Sequence, residues 1–169
     1  PELGYHVCRR RRGITSRVVE RLIRKREQYK QRKQLVSGEV RRSDAVRRDA
    51  IKWLLVCCFG YTGYKNARFG KIEAHEVINA LAREKLLVAK EVAERLGFRV
   101  LHALVDSLYV QKERATQSAY QQLAHEIEQE TLLPMALEAV YRYVIFLHSK
   151  RYAEIPVPNR FFCVSMDKE

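Results

Sequence analysis

The apolar positions of this chain recur at two periods, and the changes of period divide it into elements. From Thr15 or Ser16, either of which can cap a helix, the spacing predicts a helix to about Val36. Its stripe runs Val18/Val19 and Leu22/Ile23, then turns basic on the same side with Arg26, Tyr29/Lys30 and Lys33. Ser37-Gly38 breaks the pattern, with Arg41 and Arg42 in the turn. Ser43 or Asp44 then starts a second helix, which ends at Gly60 and carries Arg48 and Lys52 four apart on one face. Two helices joined in this way predict an antiparallel helical hairpin.

Tyr61 to Gly70 reads as a loop rich in glycine and aromatics. Glu73 to Leu96 is a long amphipathic helix with Val77/Ile78, Leu81/Ala82, Leu86, Ala89, Ala93 and Leu96 inward, and Gly97 stops it. The runs Phe98 to Leu104 and Leu108 to Lys112 flank Val105-Asp106-Ser107 as a β-hairpin. A helix over about Ala115 to Thr131 precedes Pro134. Strands are expected at Tyr141–Leu147, Arg151–Ile155 and Phe161–Ser165. The order predicts an α+β fold, an antiparallel sheet with packed helices and a protruding antiparallel helical hairpin.

Composition bounds this picture. A chain of 169 residues, 47% hydrophobic, is one domain or a compact piece of a larger protein. The longest apolar run, Trp53 to Phe59, is far too short to span a bilayer. The chain opens Pro1-Glu2-Leu3, with neither an initiator Met nor a secretory pattern, so it is expected to begin inside a longer protein. Cys8, Cys57, Cys58 and Cys163 show no metal-finger spacing, and a reduced, cytoplasmic protein is the simplest expectation. His75-Glu76 lacks the second histidine of a zincin motif, and there is no Walker loop or nucleophile elbow.

Charge changes the picture most. The net charge is +12, and residues 1–52 hold 17 basic and 6 acidic residues, a net of +11. That asymmetry suits a phosphate-rich partner, although a run of charge is more commonly a solvated helix face. Within it, Arg26 and Lys30 share a face, and Lys52 can reach the same side if the helices are antiparallel. Three converging cations would suit a triphosphate, bound by the arginine fork and by lysine point charges. Solvated placement is the other reading. Asp106, at the tip of an apolar hairpin, is either a turn-former, which the local sequence favours, or a metal ligand.

The order of these features resembles the fingers-to-palm region of B-family DNA polymerases over nearly the whole chain. Gly13-Ile14-Thr15 followed by Arg26-Glu27-Gln28-Tyr29-Lys30 is similar to the first fingers helix. Ile51 to Gly60 aligns without gaps on the second fingers helix, usually Lys-x-x-x-Asn-Ser-x-Tyr-Gly. Tyr61-Thr62-Gly63-Tyr64 and Ala67-Arg68-Phe69 continue the likeness. His102 to Ser107 falls where the family has Tyr-Gly-Asp-Thr-Asp-Ser, and Ser149-Lys150-Arg151-Tyr152 resembles its Lys-Lys-Arg-Tyr motif. The resemblance implies fingers over residues 1–60 and a palm portion over 61–169.

It also implies roles. Arg26, Lys30 and Lys52 would bind the incoming deoxynucleoside triphosphate, and Phe59 stands for the tyrosine that packs near the nascent base pair. Asp106 would be the catalytic carboxylate and metal ligand, in a two-Mg²⁺ site completed by residues outside this chain. Gly60, Tyr61, Gly63, Tyr64, Lys150, Arg151 and Tyr152 would face primer–template DNA. The remaining polymerase domains or a partner subunit would complete the enzyme, with no membrane involved. Residues 1–169 alone are expected to be inactive, because the family's other essential Asp lies upstream of the fingers. Leu104 replaces the first hairpin acid and Val105 its threonine, while Val56-Cys57 replaces Asn-Ser. These departures resemble a divergent archaeal and bacterial branch with weakened or lost activity. Template-directed nucleotidyl transfer in the intact protein is therefore the leading expectation. A non-catalytic relative that binds DNA or scaffolds a replication or repair complex is the alternative, and a small basic nucleic-acid-binding module is the third.

Overall fold

The structure, a computed structural model, describes residues 4, 7–8, 10–32 and 35–166. Arg9 and Lys33, both counted in the basic pattern above, lie outside the described residues. Four helices and two two-stranded antiparallel sheets make an α+β fold: α1 (Ile14–Arg32), α2 (Gly38–Thr62), α3 (Ile72–Arg95), β1 (Arg99–Leu104), β2 (Ser107–Gln111), α4 (Gln117–Thr131), β3 (Tyr141–His148) and β4 (Pro156–Ser165). No described helix is long and apolar enough to cross a membrane. The chain divides into two compact units, residues 1–81 and 82–169.

In the first unit, α1 and α2 fold back on each other as the hairpin the pattern predicts. Their buried and half-buried positions recur at helical spacing, Thr15, Val19, Leu22, Arg26 and Tyr29 on α1 against Asp44, Arg48, Ile51, Leu55, Cys58 and Thr62 on α2. The boundaries differ from expectation. Thr15 and Ser16 lie inside the first turn, and the Ser16 hydroxyl donates to the Gly13 carbonyl at 2.9 Å instead of capping. Arg41 and Arg42 belong to α2, which begins at Gly38 in the left-handed region (φ +61°). Asp44, expected as a start signal, is instead buried at 4% exposure with its carboxylate 3.6 Å from the Arg32 guanidinium. A buried carboxylate needs a cation more than a helix needs a second cap.

The second unit is organised by how α3 ends. The Gly97 N–H donates to Glu94 O (2.9 Å) and the Phe98 N–H to Ala93 O (2.9 Å), with Gly97 at φ +77°. This Schellman turn satisfies the last helical carbonyls and drives Phe98 back against its own helix. Phe98 joins Ala89, Val92 and Ala93 of α3 and Leu123 and Ile127 of α4 in the core. Lys112 locks the reversal, donating to Leu96 O at 2.7 Å with its ammonium 5.0 Å from the Phe98 ring centroid.

The strands form two separate ladders, β1 with β2 and β3 with β4. A bulge between Val100 and His102 shifts the first register, and Val105-Asp106 closes it as a two-residue turn between Leu104 and Ser107. Arg151–Ile155 is not a strand. Ser149 Oγ accepts the N–H groups of Arg151 (3.2 Å) and Tyr152 (3.3 Å), and Ile155 O accepts from Ser149 N (2.9 Å). Those bonds close a local turn with the backbone groups that a ladder would need.

Two stability measurements test this description. Phe98→Ala should cost about 3–5 kcal/mol in chemical denaturation, because it empties a closed core; a loss below about 1 kcal/mol would show that another residue anchors the turn. Val105, at φ +52° and 80% exposed, is a β-branched residue in the left-handed region. Val105→Gly relieves about 1–2 kcal/mol of that conformation and gives back about 0.5–1 kcal/mol in chain entropy. The variant should therefore gain between nothing and about 1.5 kcal/mol, and a net loss would mean that the Val105 side chain is held by packing.

Candidate active site

Helical spacing assigns the cations singled out in the sequence to one side of the hairpin. With the two packing stripes facing, helical periodicity puts Arg26 and Lys30 of α1 on the same flank as Arg48, Lys52 and Phe59 of α2. Their surroundings differ. Arg26 is half-buried at the edge of the seam, and its Nε is buried with no hydrogen-bond partner among the described residues. Lys30 is exposed and lies 3.3 Å from Glu27, whereas Lys52 is exposed without an ion pair among the described residues. Arg48 is taken by Asp49 at 2.9 Å. An arginine short of a partner on the same flank as two exposed ammonium groups is an arrangement that could receive a multiply charged anion.

At the far end of α2 the helix runs two residues past the expected stop, so Gly60 and Tyr61 are helical and the loop begins at Gly63. Val56, Cys57, Gly60, Tyr61 and Tyr64 line a hollow of about 350 Å³, with Tyr61 and Tyr64 edge-on at 6.1 Å. The loop closes through Lys71 N–H to Thr62 O (2.8 Å). Gly70 passes so near Tyr64 O and Tyr61 O that any side chain there would strike backbone. Phe59, half-exposed, stacks on His75 with ring centroids 4.5 Å apart. The Thr62 hydroxyl donates to Phe59 O (2.6 Å) and lies 3.0 Å from His75 Nδ1. Reading the sequence missed Thr62 and His75, since no local pattern reports a contact that spans the loop.

In the second unit Asp106 sits exposed at the tip of β1–β2, and the Ser107 hydroxyl donates to Leu104 O across the turn at 3.0 Å. No cluster of three His, Cys, Asp or Glu capable of holding a metal occurs among the described residues. Asp106 therefore offers one anionic anchor, which does not by itself make a divalent-metal site. Below the tip, His102 is caged by Tyr109 (5.8 Å), Phe146 (5.4 Å) and Phe161 (5.8 Å), and its Nε2 is buried with no described partner. The cage joins the two hairpins through side chains. Burial, with the neighbouring Cys163 and Glu138 adding to it, pushes the hydroxyls of Tyr109 and Tyr141 above the usual tyrosine range. Lys150, Arg151 and Tyr152 occupy the exposed β3–β4 loop, with the Arg151 guanidinium 5.5 Å from the Tyr152 ring centroid.

Known proteins carry the same stretch. The sequence profile of DNA polymerase family B matches residues 3–161. "DNA polymerase 2" of Saccharolobus solfataricus is 34% identical over 157 residues, which cover 93% of this chain and 22% of that protein. "DNA polymerase" of Archaeoglobus fulgidus is 28% identical over 163 residues, 95% of this chain and 21% of its own length. "DNA polymerase alpha catalytic subunit" of Mus musculus is 22% identical over 152 residues, 86% of this chain and 10% of the mouse protein. The chain thus spans about a fifth of the length of the archaeal relatives. With the profile running through helical hairpin, long helix and both β-hairpins, the chain belongs to DNA polymerase family B.

Proposed function

We propose that residues 1–60 are the fingers and residues 61–169 part of the palm of a divergent family B DNA polymerase that performs template-directed nucleotidyl transfer when intact. What supports this reading is helical periodicity, which puts Arg26, Lys30, Lys52 and Phe59 on one flank of the α1–α2 hairpin. Arg26 and the two lysines neutralise the triphosphate, and Phe59 packs beside the base. Lys150, Arg151, Tyr152 and the Gly60–Tyr64 segment face primer–template, where cations take phosphates and aromatic rings take sugar and base faces. Family B polymerases use divalent metals, which polarise the reacting phosphate and activate the attacking oxygen. In this reading Asp106 would contribute one ligand to such an ion, Mg²⁺, and the other ligands would come from outside residues 1–169.

One feature favours a second reading, a non-catalytic relative that binds DNA or scaffolds a replication or repair assembly. The residue beside the turn is Leu104, half-buried on β1, so the hairpin presents a single carboxylate. Two measurements on the full-length protein separate the readings. In a titration of a deoxynucleoside triphosphate with Mg²⁺, Lys52→Ala or Arg26→Ala should weaken binding about 10- to 100-fold, the scale of one charge-assisted contact. Unchanged affinity removes the nucleotide pocket. In primer extension, Asp106→Ala should lose about 10²-fold or more, as for other groups that stabilise transition-state charge. Extension that survives the substitution takes Asp106 out of the metal site, and a wild type that extends nothing supports the non-catalytic reading.

A further inference from the structure

Phe59 is held by a closed loop of contacts. Its carbonyl accepts from the Thr62 hydroxyl at 2.6 Å, and that hydroxyl oxygen is also in hydrogen-bond contact with His75 Nδ1 at 3.0 Å. The imidazole so oriented lies nearly parallel to the Phe59 ring, 25° between planes and 4.5 Å between centroids. Thr62 is 7% exposed, so the hydrogen-bonded corner is shielded from water. Gly63 makes room for it, since a Cβ there would stand 3.2 Å from the imidazole. One face of Phe59 is thereby covered and the side chain stays 39% exposed, on the flank that carries Lys52 two turns earlier.

We propose that His75 is a positioning residue for the base end of the nucleotide pocket, fixing the Phe59 ring in the orientation in which a base meets it. The inference rests on the nucleotide-pocket reading above and adds a residue that never touches the triphosphate. Its energetic content is preorganisation: a phenylalanine ring already immobilised has no rotamer freedom left to lose on binding, a saving of about 0.5–1.5 kcal/mol per side chain. That is about a three- to tenfold effect on affinity.

The test uses the full-length protein with a chain-terminated primer–template, titrated either with the deoxynucleoside triphosphate that the template calls for or with inorganic tripolyphosphate, which has no base. His75→Ala should weaken the nucleotide about three- to tenfold and leave tripolyphosphate unchanged. His75→Phe, which keeps a stacked ring, should recover part of the loss, whereas Thr62→Val, which keeps the ring but frees it, should show part of it. A His75→Ala protein that binds the nucleotide as the wild type does overturns the proposal. So does an equal loss for both ligands, since that reports collapse of the helix end. If Lys52→Ala changes neither ligand in the wild-type background, the pocket reading itself fails and this inference falls with it.

Discussion

The reversal at Gly97 is the constraint on which the second unit depends. A helix can bury its last turn only if its terminal carbonyls find partners, and here the N–H groups of Gly97 and Phe98 supply them. The left-handed glycine turns the chain by so much that Phe98 lands on Val92 and Ala93, the best-buried positions of α3. β1 therefore leaves the core in a fixed direction, with Lys112 of the return path tied to Leu96 O. The position of Asp106, eight residues beyond the turn, follows from the direction set at Gly97 and from the bulge after Val100. An acidic residue at a hairpin tip gains precision only from its base, because the tip itself is exposed.

The same economy appears in the first unit, where helix ends are again the controlling points. Asp44, buried near the start of α2, has Arg32 at the end of α1 as its ion-pair partner, so the two helices are tied through a buried charge. At the other end of α2 the Thr62 carbonyl and hydroxyl are both used, one by Lys71 and one by Phe59 and His75. The helix carrying Lys52 and Phe59 is thus tied at both ends, while its outer face exposes Val46, Trp53 and Cys57.

Much of this was legible in the sequence. The helices announced themselves by period, and Gly97 and a turn over Val105-Asp106-Ser107 by type, because each of these signals is local, although Ser107 proves to be the first residue of β2. What failed was also local chemistry, overruled by partners far along the chain. Ser43 and Asp44 look like a helix start, yet Asp44 is buried against Arg32, a pairing that no window of a few residues contains. Arg151–Ile155 has strand composition, and one hydroxyl, Ser149, turns it into a loop. Among the site residues, Arg26, Lys30 and Lys52 could be gathered by helical spacing plus one assumption, that the helices are antiparallel. His75 could not be found, since a lone histidine carries no signal until the loop from Gly63 to Lys71 brings it under Phe59.

The surplus of positive charge in the first 52 residues divides by what each cation already holds. Glu20 takes Arg12 at 2.7 Å and Arg24 at 2.6 Å, Asp49 takes Arg48, and Asp44 takes Arg32. Lys30 has Glu27 at 3.3 Å, with both groups about half-exposed, and such a pair is worth about 0–1 kcal/mol. A polyphosphate would displace Glu27 at little cost. Arg26 and Lys52 have no acid to displace among the described residues, and Arg26 is in addition partly dehydrated, with one N–H already out of water. A small part of the desolvation that an arginine–phosphate contact demands of the protein is therefore met by folding, while the remaining guanidinium N–H groups must still shed water. Within a strongly basic hairpin, Arg26 then differs from Lys52 and the other exposed, unpaired cations by its partial burial, and the total charge governs the approach of an anion.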